Sequence, residues 1–143
     1  MLIAQEIKSE IENTIGALRY ESGGVIGSSD GRVIDNFYFD LECNGSINEY
    51  LPNVRSLQCV LKEWHANNIV FLGVIHSHAF DSKLSDKDVL MARRIIETNE
   101  QIDSLLMPVF TLKNQRITWY TVSMNHIIGL KVETLKSNKK TED

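Results

Sequence analysis

Residues 73 to 88 read GVIHSHAFDSKLSDKD, which sets His76 and His78 one residue apart at the end of an apolar run and follows them with Asp81, Asp86 and Asp88. On an extended strand, side chains at i and i+2 share a face about 7 Å apart, so the two imidazoles can converge on one point while Ser77 turns away. Two imidazoles aimed at one point form a chelate. Zn²⁺ takes nitrogen and oxygen ligands tetrahedrally, and its catalytic sites keep three protein ligands and a water. Asp88 lies ten residues after His78, across a loop long enough to bring it back, and would complete the count. Asp81 and Asp86 stand close enough in sequence to compete for that place. An HxH pair by itself also occurs at strand ends where it only satisfies backbone groups, and SDKD alone is a common helix start.

Other metal motifs fit these residues less well. In an HxHxDH pattern, Phe80 stands where the Asp belongs and Asp81 where the last His belongs. A cupin needs a further Glu and His on downstream strands, and only His126 remains; a helical HExxH is absent. His65 and His126 have no motif partners and are read as surface or capping residues.

The elements that must hold this segment follow from periodicity. Ile3, Ile7, Ile11 and Ile15 recur every four residues and predict an amphipathic helix over 3 to 16. Gly23, Gly24 and Gly27 lie in a strand-like stretch, SSDG is turn material, and RVIDNFYFD is a second strand, together a β-hairpin. Residues 41 to 54 lack periodicity and predict a loop. Val54, Leu57, Val60, Leu61 and Trp64 are at helical spacing, and NIVFLGVIH has the length and β-branching of a buried strand. After LSDKD the helical pattern returns in Val89, Leu90, Ala92, Ile95 and Ile96, with Ser85 as N-cap and Asp88 in the first turn. SLLMPVFTL and QRITWYTVSM predict a hairpin in which Pro108 marks a bulge or an edge. Alternating strands and helices of this kind describe an α/β or α+β sandwich around a mostly mixed sheet. Trp64, Phe71 and Trp119 are assigned to its core.

Composition narrows the function classes. The chain has 143 residues, 43% apolar and 24% charged, which suits one soluble domain. Net charge is −4 and no basic stripe exists to neutralise phosphates, which argues against nucleic acid. No apolar run approaches the roughly 20 residues of a membrane span. MLIAQEIKSE carries acids where a signal peptide needs an apolar stretch, and Cys43 and Cys59 form no CxxC, so a cytoplasmic protein with two reduced thiols is expected.

A third segment, ESGGVIG at 21 to 27, joins the other two. Glu21 beside Gly23 and Gly24, then His76-Ser77-His78, then Ser85-Asp86-Lys87-Asp88, resembles the JAB/MPN family and its JAMM metalloprotease motif: a Glu beside a Gly-Gly strand, H-S/T-H, and S-x-x-D. The resemblance runs from about residue 18 to about residue 122. It implies a mixed sheet flanked by helices in cytidine-deaminase-like layering, within the one domain that length leads one to expect over 1–134, ahead of a disordered tail expected over 135–143 from the polar SNKKTED stretch. It also implies that His76, His78 and Asp88 hold Zn²⁺, that Glu21 is general base and then acid, and that Ser85 hydrogen-bonds the oxyanion.

Two departures stand out. The family usually has Pro after the second His, where this chain has Ala79, so a less rigid loop is expected there. The loop from His78 to Ser85 is one residue shorter than the family's, which keeps Asp81 and Asp86 open as ligands, although the S-x-x-D register favours Asp88. The substrate class implied is the C-terminal tail of a ubiquitin-like or sulfur-carrier protein, cleaved at a peptide or isopeptide bond and bound as an added strand near residues 31 to 40. The stretches where ubiquitin-gripping insertions occur, about 41 to 54 and 98 to 104, are short. A non-catalytic MPN scaffold and a zinc hydrolase of small amide conjugates are the alternatives.

Overall fold

The computed structural model describes residues 1–43 and 49–136. The isoleucine stripe forms a helix only in its middle: β1 (Leu2–Ala4) carries Ile3, α1 (Gln5–Asn13) carries Ile7 and Ile11, and a single 3₁₀ turn (Ile15–Ala17) carries Ile15. All four are buried. Ile3 leaves the helix because β1 is hydrogen-bonded on both sides to segments far along the chain, a partner choice that local spacing does not report.

The predicted hairpin is present as β2 (Gly23–Ser28) against β4 (Asn36–Phe39), antiparallel with Gly24 opposite Phe39 and Gly27 opposite Asn36. Its second arm is split. Residues Val33–Ile34 form β3 and pair with β1 instead. Asp35 sits at the split, its carboxylate accepting from the Ser29 N–H at 2.9 Å. In the turn, Asp30 Oδ1 accepts from the amides of Arg32 and Val33, and Gly31 takes a φ of 81° that favours glycine.

Asn53 caps α2 (Val54–Ala66) by accepting from the Ser56 N–H, and the chain then enters β5 (Val70–His78). Ser85 and Asp88 form a reciprocal capping box at the start of α3 (Asp86–Thr98). The next predicted strand is interrupted at Met107 and Pro108 into β6 (Ser104–Leu106) and β7 (Val109–Thr111). Both pieces lie between β5 and β8 (Arg116–Ser123), so Pro108 marks an interior interruption and not an edge. Two short strands extend the predicted set, β9 (Ile127–Leu130) and β10 (Glu133–Leu135). The strand through Leu135 includes the first residue of the expected tail, and residues 137–143 lie outside the described residues.

The large sheet runs β4-β2-β5-β6/β7-β8-β9, parallel only where β5 meets β6 and β7. A small parallel sheet, β10-β1-β3, stands beside it. Consecutive residues of one strand enter opposite cores, as a two-residue period requires: Ile26, Ile75 and Leu106 pack with the isoleucines of α1, while Val25, Val74 and Leu105 pack with Trp64, Ala92 and Ile96 of α2 and α3. This is a mixed sheet covered by helices on both faces. Trp64 and Trp119 are core residues, and Phe71 is half-buried against the α2/α3 core. Among the described residues no helix is long and apolar enough to cross a membrane.

Gly73 sets how closely β5 and β6 approach, since a Cβ there would lie 2.0 Å from the Leu106 carbonyl oxygen. Gly73→Ala is expected to destabilise the fold by about 1–3 kcal/mol, the usual range for overpacking. Urea denaturation measures it, and an unchanged midpoint would show that the two strands can separate without cost.

Candidate metal centre

The last three residues of β5 pair with β7, His76 opposite Val109, and on the other side His76 lies opposite Gly23 at the start of β2. Gly23 is needed here because a Cβ would meet the Ile75 carbonyl oxygen at 2.4 Å and the Tyr50 ring at 2.7 Å. His76 is buried and His78 half-buried, and their Nε2 atoms are 3.1 Å apart with the rings at 70°. The convergence expected of an i, i+2 pair is present.

Asp88 reaches them from the first turn of α3. Its Oδ2 lies 3.0 Å from His76 Nε2 and 3.1 Å from His78 Nε2, and also accepts from the Ser85 N–H at 2.9 Å. Hydrogen bonds alone satisfy this triangle poorly, because two ring N–H groups aimed at one carboxylate oxygen would also face each other at 3.1 Å. A cation at the centre removes that conflict. Ligand atoms about 2.0–2.1 Å from a tetrahedral zinc lie about 3.3 Å from one another, close to the three edges observed. The donor set therefore fits a zinc-sized ion with nitrogen and oxygen ligands. His76, His78 and Asp88 are the one such group of three among the described residues. Asp81 instead accepts from the Lys83 N–H at 2.9 Å, and Asp86 is exposed; neither joins the group.

Burial by itself would raise the pKa of Asp88. Hydrogen bonds from His76 and His78, the charge of His76 and the Ser85 amide outweigh it and hold the carboxylate well below its ordinary range. The His78 pKa is pushed up, first by its hydrogen bond to Asp88, with burial opposing and Glu21 adding to the rise. His76 Nδ1 is buried and finds no partner among the described residues, so packing between β2 and β7 must orient that ring.

Glu21, just ahead of β2, is 8% exposed, and its Oε2 accepts from the Ala79 N–H at 2.9 Å. Ser85 Oγ accepts from the Asp88 N–H at 3.1 Å, a bond that leaves its hydroxyl proton free to donate elsewhere. Both residues line one cleft of about 1020 Å³ with His76, His78 and Asp88. Three side chains on its walls expose much of their apolar surface: Leu51 at 44%, Phe80 at 78% and Leu90 at 52%. Exposed apolar groups gathered in a cleft mark a binding surface. His65 and His126 are exposed and lie outside this cleft.

Three supports of the site escaped the sequence reading. Ser77, turned away from the histidines, accepts from the Ser22 N–H at 2.9 Å, and its own N–H donates to the Ser22 carbonyl at 2.8 Å. Strand alternation already pointed Ser77 to the far face, so a signal existed. Past His78 the chain is held by Leu112 and Lys113, whose amides donate to the carbonyls of His78 and Ala79. The Tyr120 hydroxyl donates to the Ser82 carbonyl at 2.6 Å. No local pattern announces these last contacts.

No family model matches the sequence, and a search of curated proteins returns no match. Solved structures do resemble it. Protein DSY2949 from Desulfitobacterium hafniense superposes with a TM-score of 0.73 at 19% identity, covering 100% of this chain and 99% of that one. AF2198, a JAB1/MPN domain protein from Archaeoglobus fulgidus, gives 0.54 at 17% identity, covering 94% and 97%. A structure described as JAMM, a metalloprotease-like zinc site in the proteasome and signalosome, gives 0.52 at 13% identity, covering 95% and 98%. At these identities the likeness is one of fold: the chain has an MPN/JAB-like fold.

Asp88→Ala is expected to weaken Zn²⁺ binding by at least about 100-fold, more than loss of an outer contact usually costs, while Asp86→Ala leaves it unchanged. Titration with a chelator of known affinity reads both, and loss with Asp86→Ala alone would move the third ligand. Protons compete with the metal for His78. Its pKa in the folded protein lies above the ordinary 6.5, so affinity should be full well above that value and fall as pH drops through it. Binding isotherms between pH 5.5 and 8 check the sign, and affinity independent of pH down to about 5.5 would contradict it.

Proposed function

We propose that this chain is a zinc-dependent isopeptidase or peptidase, cytoplasmic, that cleaves after the C-terminal tail of a ubiquitin-like or sulfur-carrier protein. The observation that carries the reading is the convergence of His76, His78 and Asp88 in one cleft with a buried carboxylate, Glu21, and a hydroxyl, Ser85. His76 Nε2, His78 Nε2 and Asp88 Oδ2 would hold the metal. When bound, zinc supplies a water whose pKa is lowered to about 7, which makes a nucleophilic Ser or Cys unnecessary.

Glu21 takes the proton of the attacking water and returns it to the departing amine, a task worth about 10²–10⁴-fold in rate. Ser85 offers its unused hydroxyl proton to the substrate carbonyl oxygen as negative charge develops there, a contact of the kind worth about 3 kcal/mol. Placement of the substrate rests on the sheet. β4 is an edge strand, paired on one side by β2, and it supplies residues 36 to 39 of the 31 to 40 segment where an added strand is expected. Leu51, Phe80 and Leu90 offer apolar contacts to residues flanking the bond that breaks.

A linear fusion and an isopeptide conjugate of a ubiquitin-like protein, incubated with the zinc-loaded chain, test the proposal. Glu21→Gln is expected to keep zinc and lose about 10²–10⁴-fold in kcat. Ser85→Ala should lose about 10²–10³-fold in kcat and also cost about 1 kcal/mol of stability through the lost helix cap, so thermal denaturation accompanies the kinetics. Zinc binding with no cleavage of any conjugate would favour a scaffold. Equal turnover of a dipeptide and a folded carrier would favour a small-amide hydrolase. Amide shifts that leave residues 31 to 40 unmoved by a tail peptide would rule out strand addition at β4.

A further inference from the structure

Glu21 precedes β2, so the ladder between β2 and β5 does not reach its side chain, and a glutamate left free would spread over many rotamers. Two sets of contacts restrain it, one from β5, which carries the histidines, and one from the residue that follows it. Its neighbour Ser22, fully buried, is bracketed by Ser77: the Ser22 N–H donates to Ser77 Oγ at 2.9 Å, and the Ser22 carbonyl accepts from the Ser77 N–H at 2.8 Å and from Ser77 Oγ at 3.3 Å. The carboxylate itself is caught at Oε2 by the Ala79 N–H at 2.9 Å, with no protein donor on Oε1 among the described residues.

We propose that the backbone N–H of Ala79 is a positioning donor for Glu21: it holds one carboxylate oxygen so that the other is left for proton transfer in the cleft. The inference rests on the role given to Glu21 above. Ala79 directly follows His78, so donor and metal ligand move as one piece of chain, and the carboxylate is referenced to the same backbone that sets the chelate. A proline at position 79, the residue the resemblance leads one to expect, has no N–H and could not make this bond. The alanine is thus a gain of a donor as well as a departure from pattern. A carboxylate accepting from an amide is a charge-assisted bond, stronger than a neutral one.

Two measurements on the full chain test this. In ¹H–¹⁵N spectra, the Ala79 amide proton should move upfield in Glu21→Ala, which removes the acceptor, and move less in Glu21→Gln, which keeps an oxygen there. In kinetics on the zinc-loaded protein, Ala79→Pro should lower kcat by about 100-fold, the scale of a misplaced catalytic group, with KM and zinc content held. Ala79→Ser keeps the N–H and should restore most of that loss, which separates the missing donor from a change of side chain. An Ala79 resonance indifferent to Glu21→Ala overturns the proposal, as does a proline variant as active as the serine variant. If the proline variant does not fold, the resonance decides. Should the wild type cleave nothing, the function reading fails on its own, and the resonance still reports whether the amide holds the carboxylate.

Discussion

The antiparallel register of β2 against β5 is the constraint on which the site depends. It sets Gly23 opposite His76, puts Ser22 within reach of Ser77, and lets the Glu21 side chain reach the Ala79 N–H. Because side chains alternate along a strand, a slip of one residue would turn both histidines to the opposite face and present Ser77 in their place. That slip is opposed from three sides. The cores on the two faces take Val25 and Val74 on one side, Ile26 and Ile75 on the other, and β7 holds the far edge of β5 in parallel pairing. A short histidine pair is held in place by a buried sheet many times its size.

Local helix chemistry delivers the third member of the His-His-Asp group. Asp88 is a capping residue as well as a member of the triad, since its Oδ2 accepts from the Ser85 N–H while it faces both imidazoles. The helix start therefore cannot fray without loosening the centre. The opposite wall has its own anchor: Asp40, fully buried, accepts from the Tyr50 hydroxyl at 2.8 Å and the Asn53 N–H at 2.9 Å. Burial, then the charge of Asp40, pushes the Tyr50 phenol far above its ordinary pKa, so it stays a donor. This pair ties the segment bearing Leu51 and Pro52 to the end of β4, and the Tyr50 ring closes over Gly23.

Much of the fold was legible where burial is periodic. α2, α3 and β5 follow from apolar spacing and caps that act within four residues, so their positions depend little on what lies beyond them. β1, β9 and β10 did not show. Each has three or four residues, too few for a period to register, and each is a strand because of a partner elsewhere: β1 pairs with residues 133–135, and β9 with β8. The same competition split the predicted hairpin at Asp35 and removed Ile3 from the predicted helix. Pro108 was legible as an interruption, but whether it lay at an edge or inside the sheet was a question of neighbours.

At the site, residue type and spacing determined the chemistry: two imidazoles on one strand face, a capping serine, an aspartate one turn into a helix, a glutamate beside glycines. These are properties of the chain over a few residues, set by covalent geometry and by the hydrogen-bonding needs of helix ends. Which of Asp81, Asp86 and Asp88 completes the triangle was decided only in three dimensions, because the path of the loop after His78 is set by β7, by Tyr120 and by the packing of α3. The partners of Glu21 were decided there too. A backbone amide has no identity in a sequence beyond not being proline, and it becomes a specific donor only when folding brings a carboxylate 58 positions away to 2.9 Å.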